Sequence, residues 1–406
     1  MKQYEYVTQE NRELLKEQSK SLLTFGRRFP SPGGSAYYLG EDGTPIITKP
    51  RETWITARMA HVYCLGEMLG FEKNAEIADA ALRGLCGELR DQENGGFFAG
   101  IQADGKALPD KQCYAHAFVI LAASSALAAG KAGAGDLLEE ALKVFDRYFW
   151  NEEEGLASDL WDTSFTELSD YRGLNANMHT VEAFLAASDV TGDERYRKRA
   201  GRIISHVMEW MDRYDYMLPE HFSREWKPLP EYNKERPDDP FKPYGTTPGH
   251  AIEWARLILQ WALTDKEAVD QYDTYLQAAG KLYNQAKNNA WDVDGAPGFC
   301  YTLGWDKKPV IHDRMHWVLA EAINTASFLY RLTDEPEYAQ DYRTYMMYLD
   351  HTVIDHQHGS WYHQLDRNNE VIGTVWPGKP DLYHAFQAMI YPYQQHPQKS
   401  FAASIV

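Results

Sequence analysis

The sequence predicts an all-α protein in which six helical hairpins close into a ring. Three observations carry that prediction. First, six apolar-periodic segments recur along the 406 residues, each with a histidine near its start: His61, His116, His179, His250, His316 and His384. The intervals are 55, 63, 71, 66 and 68 residues, and each segment places apolar residues at i, i+3, i+4 and i+7, as a helix with one buried face requires. Second, further helical stretches lie between them, at 74–90, 134–148, 194–213, 266–289 and 336–354. Third, many of these are followed by an aromatic-rich alternating segment with a turn signal: GGFFAGIQADGK (95–106), GLASDLWDTSF (155–165), GFCYTLGWDKKPV (298–310) and GSWYHQLDRNNEV (359–371). Such alternation reads as a short β-hairpin. The repeat unit is therefore helix, helix, short hairpin.

Along the chain, the first helix of each repeat supplies polar groups near its start: Trp54 and Arg58 before His61, Tyr114 before His116, Asn175 before His179, His250 with Glu253, His316 with Trp317 and Glu321, and finally His384. An open solenoid would need distinct polar caps. A closed ring instead puts six of these helices inside and brings their polar starts to one central cavity, so the ring is the expectation. No Pro/Ser-rich linker divides the chain, which reads as one domain over 1–406. The Pro-rich, charged stretch 227–242 reads as a long loop and a candidate lid.

Composition excludes several classes of function. With 41 basic and 59 acidic residues the formal net charge is −18, which opposes attraction to nucleic acid or anionic lipid. The stretch 1–13 has no apolar leader core, and no window reaches 18 uncharged apolar residues, so a soluble cytoplasmic protein is expected. Cys64, Cys86, Cys113 and Cys300 lack CxxC spacing and sit in apolar-periodic stretches, as small buried residues do. The 12 Trp, 26 Tyr and 16 Phe suit a large core, and also the stacking faces of a sugar site.

Two segments carry His-x-x-Glu, at His179–Glu182 and His250–Glu253. The i, i+3 spacing puts both groups on one helix face, where the carboxylate can orient an imidazole and support its charged form. A single helical histidine is more often structural; recurrence at a similar repeat position points to acid/base chemistry. HExxH, GxSxG, GxGxxG and Walker patterns do not occur, so no metal and no nucleotide cofactor is expected.

WITARMAHVY (54–63), YRGLNANMHTVEAF (171–184), YGTTPGHAIEWARL (244–257), MHWVLAEA (315–322) and WPGKPDLYH (376–384) resemble the N-acylglucosamine 2-epimerase superfamily, most closely its aldose–ketose isomerase branch. The resemblance spans essentially the whole chain. It implies an (α/α)6 barrel acting on a monosaccharide, as a monomer or homodimer. It further implies that His250 and His384 are the acid/base pair, that Arg58 and His179 line the same pocket with Glu253 supporting, and that Trp54, Tyr114, Asn175, Trp317, Trp376 and Glu321 contact the sugar. Sulfoquinovose-handling members carry glutamines where this sequence has His363 and Pro380, so the resemblance implies D-mannose–D-fructose interconversion, with D-lyxose and D-xylulose as a further pair. Sugar 2-epimerisation and sulfoquinovose isomerisation are the alternatives. A glycoside hydrolase, which needs two opposed carboxylates such as Asp162, Glu220, Glu253 or Glu321, is more remote.

Overall fold

The computed structural model describes residues 2–405. Twelve α-helices form two concentric layers. The inner layer is α2 (Thr53–Met68), α4 (Cys113–Ala128), α6 (Leu174–Thr191), α8 (Pro248–Thr264), α10 (His316–Thr333) and α12 (Tyr383–Ile390). Each packs on the next, and α12 returns to α2 to close the ring. The outer layer is α3 (Ala75–Cys86), α5 (Ala134–Tyr148), α7 (Glu194–Arg213), α9 (Tyr272–Ala290) and α11 (Pro336–Tyr348), completed by α1 (Gln9–Phe25) against α12. This is the (α/α)6 barrel that the repeats imply.

Composition sorts the layers. Inner α4, CYAHAFVILAASSALA, is apolar around its whole circumference and buries 13 of its 16 residues, whereas outer α5 buries only the Leu137, Leu138, Ala141, Leu142, Phe145 stripe and Ala134. A helix apolar all round must be surrounded, and one with a single stripe faces water. Among the described residues no helix is long and apolar enough to cross a membrane.

The short strands do more than form local hairpins. The strand leading into each inner helix pairs antiparallel with a strand from the following repeat: Arg51–Glu52 with Gly100–Ile101, Asp110–Gln112 with Leu160–Asp162, Arg172–Gly173 with His221–Phe222, and Arg314–Met315 with Gln364–Leu365. A bridge between Thr246 and Leu303 serves α8, and the Lys379 amide donating to the Leu39 carbonyl (2.9 Å) serves α12. These stitches lock neighbouring repeats together at the N-terminal ends of the inner helices, where the site lies.

Two expectations need adjustment. The stretch 266–289 opens with a 3-10 turn, and α9 begins only at Tyr272. Cys86 is exposed at the end of α3, while Cys64, Cys113 and Cys300 are buried; all four are free.

Candidate active site

The stitched ends of the inner helices surround a cavity with about 670 Å³ of free space, part of it open to solvent. Of the six recurrent histidines, His179, His250, His316 and His384 line it. His61 and His116 do not. His61 lies two turns inside α2, where its Nδ1 meets the Ser125 hydroxyl at 2.6 Å, and His116 accepts the Phe97 amide (3.1 Å) while its other nitrogen meets the Gln112 carbonyl. The repeat phase is thus approximate, and on α2 and α4 the cavity positions fall to Arg58 and Tyr114 instead.

His250 sits in the first turn of α8, which starts with Pro248 in the position where a missing amide hydrogen costs nothing. Its Nδ1 donates to Glu220, 2.9 and 3.0 Å from the two carboxylate oxygens. Glu253, the partner implied by i, i+3 spacing, does not touch it. Glu220 comes from the loop before His221–Phe222, fixed because its carbonyl accepts the Leu174 amide at the head of α6. No helical periodicity marks that residue; only the inter-repeat stitch brings it to His250.

His384, in the first turn of α12, donates from Nδ1 to Glu321 on neighbouring α10 at 3.0 Å. Glu321 is fully buried and absent from the cavity wall, so its expected sugar contact is replaced by an orienting role. In both pairs the carboxylate fixes the proton on Nδ1 and leaves Nε2 as the free base. Burial, reinforced by the nearby Arg58 charge, pushes the His384 pKa well below the usual histidine value. His179 keeps its expected partner: Nδ1 lies 3.3 Å from Glu182, and burial outweighs that carboxylate to lower its pKa to about 4.

Trp317 lies near both imidazoles, its indole 5.0 Å from the His250 ring and 5.8 Å from the His384 ring, centroid to centroid. It packs near both rings while lining the cavity. Arg58 extends from α2 to Asp381 (3.3 Å) and the Tyr114 hydroxyl (2.7 Å), with its guanidinium over the rings of Phe118, Tyr383 and Trp54 at 4.4 to 4.8 Å. Trp54 and Trp376 form the upper wall with Phe241, which the loop at 227–242 brings to within 6.0 and 5.2 Å of them. Asn175 also lines the cavity, and its buried Oδ1 has no protein partner.

Beneath the cavity, Arg256 donates to Glu321 (2.9 and 3.1 Å) and Glu253 (3.3 Å). One guanidinium thus faces two buried carboxyls. Burial, then repulsion from Glu321, raises the Glu253 pKa well above its ordinary value, which favours the protonated form. Two buried sets, His179–Glu182–Glu253 and Glu253–Glu321–His384, hold ligand-type atoms within 4.8 Å of one another and could receive a cation. Sequence spacing gave no sign of them, and in both the carboxylates are already matched by imidazoles or Arg256. A third set, Asp294–Cys300–His312, lies outside this cavity.

Comparison with known proteins supports the family and the fold. The N-acylglucosamine 2-epimerase family profile matches residues 33–388. A D-mannose isomerase of Pseudomonas cannabina pv. alisalensis is 41% identical over 92% of this chain and 91% of its own. One from Thermobifida fusca is 40% identical over 94% of each. A crystal structure of a D-mannose isomerase superposes with TM-score 0.86 at 27% identity, covering 94% of this chain and 97% of that one. The cellobiose 2-epimerase from Spirochaeta thermophila shares the fold, with TM-score 0.82 at 20% identity over 94% of this chain and 96% of that one. Barrel and relatives together define an enzyme of the sugar isomerase and epimerase class. The chain belongs to the N-acylglucosamine 2-epimerase family.

Proposed function

We propose that this protein is an aldose–ketose isomerase that interconverts D-mannose and D-fructose, and D-lyxose and D-xylulose as a further pair, by histidine acid/base catalysis through a cis-enediol. The observation that carries the reading is the pair of carboxylate-backed imidazoles, His250–Glu220 and His384–Glu321, lining one cavity. The relatives named D-mannose isomerase support the choice of sugar.

Isomerisation moves one proton from C2 to C1 and one from the C2 hydroxyl to the C1 oxygen, without net oxidation. His250 Nε2 takes the C2 proton, and Glu220 stabilises the resulting imidazolium, which returns the proton to C1. His384, kept neutral by burial, serves ring opening and the hydroxyl proton. Arg58 sets a fixed positive charge against the enediolate oxygens, in a site where few waters compete. His179 and Glu253 provide further hydrogen bonds to the sugar. A hydrolase would need two free opposed carboxylates, yet Glu220 and Glu321 are committed to imidazoles, and Asp162 is tied up by turn amides and hydroxyls on the rim.

The test is NMR of EDTA-treated protein with D-mannose in D2O. Fructose should appear, with deuterium at C1 only to the extent that the His250 proton exchanges before its return. Glucose accumulating ahead of fructose would make the protein a 2-epimerase, and loss of turnover on EDTA treatment would overturn the metal-free route.

A further inference from the structure

The guanidinium of Arg256 is a buried charge that the proposed chemistry does not use. It is fully buried on α8, behind the residues that line the cavity. Nε and Nη2 both donate to Glu321 Oε2, at 3.1 and 2.9 Å, Nη2 also reaches Glu253 at 3.3 Å, and Nη1 donates to the Gln260 amide oxygen at 3.1 Å. Glu321 divides its two oxygens: Oε2 takes Arg256, while Oε1 takes His384 Nδ1 at 3.0 Å. The chain Arg256–Glu321–His384 thus ends on an imidazole of the cavity wall.

Arg256 is itself held from the side away from the cavity. Gln260, one turn further along α8, is buried, and its Nε2 donates to the Pro397 and Lys399 carbonyls at 3.0 and 3.2 Å. Those carbonyls belong to the segment that follows α12, and the Tyr391 hydroxyl pins the same Pro397 carbonyl at 2.8 Å. The rings of Tyr391 and Phe401 lie 5.9 and 5.8 Å from the guanidinium. A guanidinium fixed in this way cannot follow a carboxylate that turns away, so its charge stays at Glu321 Oε2.

The groups that face Glu321 are Arg256 and Glu253 of α8, Glu182 and His179 of α6, His384 of α12, and Tyr391 just beyond it. Burial keeps both imidazoles neutral, which leaves Arg256 as the positive charge in contact with Glu321. Burial raises the Glu321 pKa, Arg256 opposes that, and Glu182 reinforces it. A buried carboxylate that loses its cation takes up a proton instead.

We propose that Arg256 is a positioning residue for His384: its charge keeps Glu321 ionised, and ionised Glu321 keeps the His384 proton on Nδ1 and Nε2 free as the base. Without that charge the pair gains one proton. Glu321 becomes a carboxylic acid whose O–H donates to His384 Nδ1, and the imidazole then carries its own proton on Nε2, facing the cavity as a donor. The ring remains neutral, and only its tautomer changes.

This inference deepens the sugar-isomerase reading and rests on it for turnover, so the tautomer is read first, without substrate. Protein labelled with 15N-histidine is followed by NMR correlations that separate Nδ1–H from Nε2–H, the His384 signals being those lost in His384→Gln. At pH 7, wild type and Arg256→Lys should show Nδ1–H. Arg256→Gln, which keeps polar contacts without the charge, should show Nε2–H and return to Nδ1–H as pH rises. Its midpoint should lie at least about one pH unit above that of wild type, a tenfold or greater change in proton affinity. Its kcat/KM on D-mannose should fall about 10- to 100-fold at pH 7 and recover along the same midpoint, whereas a merely structural loss would lower it at every pH. If Arg256→Gln does not fold, Gln260→Leu, which loosens Arg256 and leaves every charge in place, should move the midpoint the same way by about half a unit. Nδ1–H persisting at pH 7 in Arg256→Gln, Nε2–H in Arg256→Lys, or an unmoved midpoint in Gln260→Leu would overturn the assignment. Failure of the function alone would show differently, as a tautomer switch in a protein that forms no fructose.

Discussion

At the scale of single residues, the carboxylate behind His250 is the part of the site that decides the most. Glu220 contacts its Nδ1 with both oxygens, so replacing it by Gln keeps the shape but removes the charge that supports the imidazolium. Glu220→Gln should lower kcat by about 10- to 100-fold with KM changed less than about threefold. His250→Ala should cost about 10²- to 10⁴-fold. Steady-state kinetics on variants with wild-type circular dichroism checks both, and a Glu220→Gln enzyme with full kcat would mean that another group carries the proton. The family resemblance implied that His250, His384, His179 and Arg58 share one pocket, helical spacing singled out only His179 and His250, and all four line the cavity. The sequence could not show Glu220, 30 residues away on a loop, or the move of Glu321 from sugar contact to His384 support. Those are contacts between elements, and i, i+3 spacing pointed to Glu253 because it reports only neighbours on one helix.

At the scale of elements, the inner helices were legible because each is periodic and apolar, while α1, which completes the outer layer, was not. Helix α1 joins the outer layer by packing on α12, more than 350 residues later, and no local pattern records that closure. The stitches are similar: alternation located the strands, but pairing across repeats is non-local. The start of α8 shows how helix and site are coupled. A Cβ on Gly249 would lie 2.5 Å from the Trp317 indole and 2.7 Å from Val318, so glycine is what lets α8 approach α10 this closely. Alanine would favour the helix itself by roughly 0.5–1 kcal/mol. It would also push Trp317, whose indole lies near both imidazoles. Gly249→Ala should therefore keep the helical content yet reduce kcat/KM by on the order of tenfold or more, since ångström-scale misplacement of reacting groups is costly. Unchanged kcat/KM would show that displacing Trp317 leaves the two imidazoles in place.

At the scale of the whole molecule, closing six helices around a polar cavity buries many imidazoles, and this gives the fold a pH signature. His61, His116, His179, His221, His316, His363 and His384 all have pKa values lowered by burial, to about 4 for His61, His179 and His316 and about 3 for His116. In the unfolded chain each takes up a proton near pH 6.5, whereas in the folded barrel each stays neutral. Below pH 6.5 the unfolded state therefore binds more protons, and stability that is full above that pH falls as pH drops toward 4, by up to about 1.4 kcal/mol per pH unit for each histidine. Carboxyls with raised values, chiefly Glu253 and Asp159 (to about 6), act with the opposite sign: the folded state keeps a proton that the unfolded chain has lost. Their offset grows toward pH 4.5 as the less shifted acids join, so the histidines dominate between about pH 6.5 and 5.5. Denaturant unfolding at half-unit steps across that window should show stability dropping by several kcal/mol. His61→Gln, which leaves the cavity wall intact, should reduce the slope by about one proton's worth, or 1.4 kcal/mol per pH unit. A stability that is flat from pH 7.5 to 5.5 would mean that these imidazoles gain protons without unfolding, and so that the cavity admits water far more freely than its packing implies.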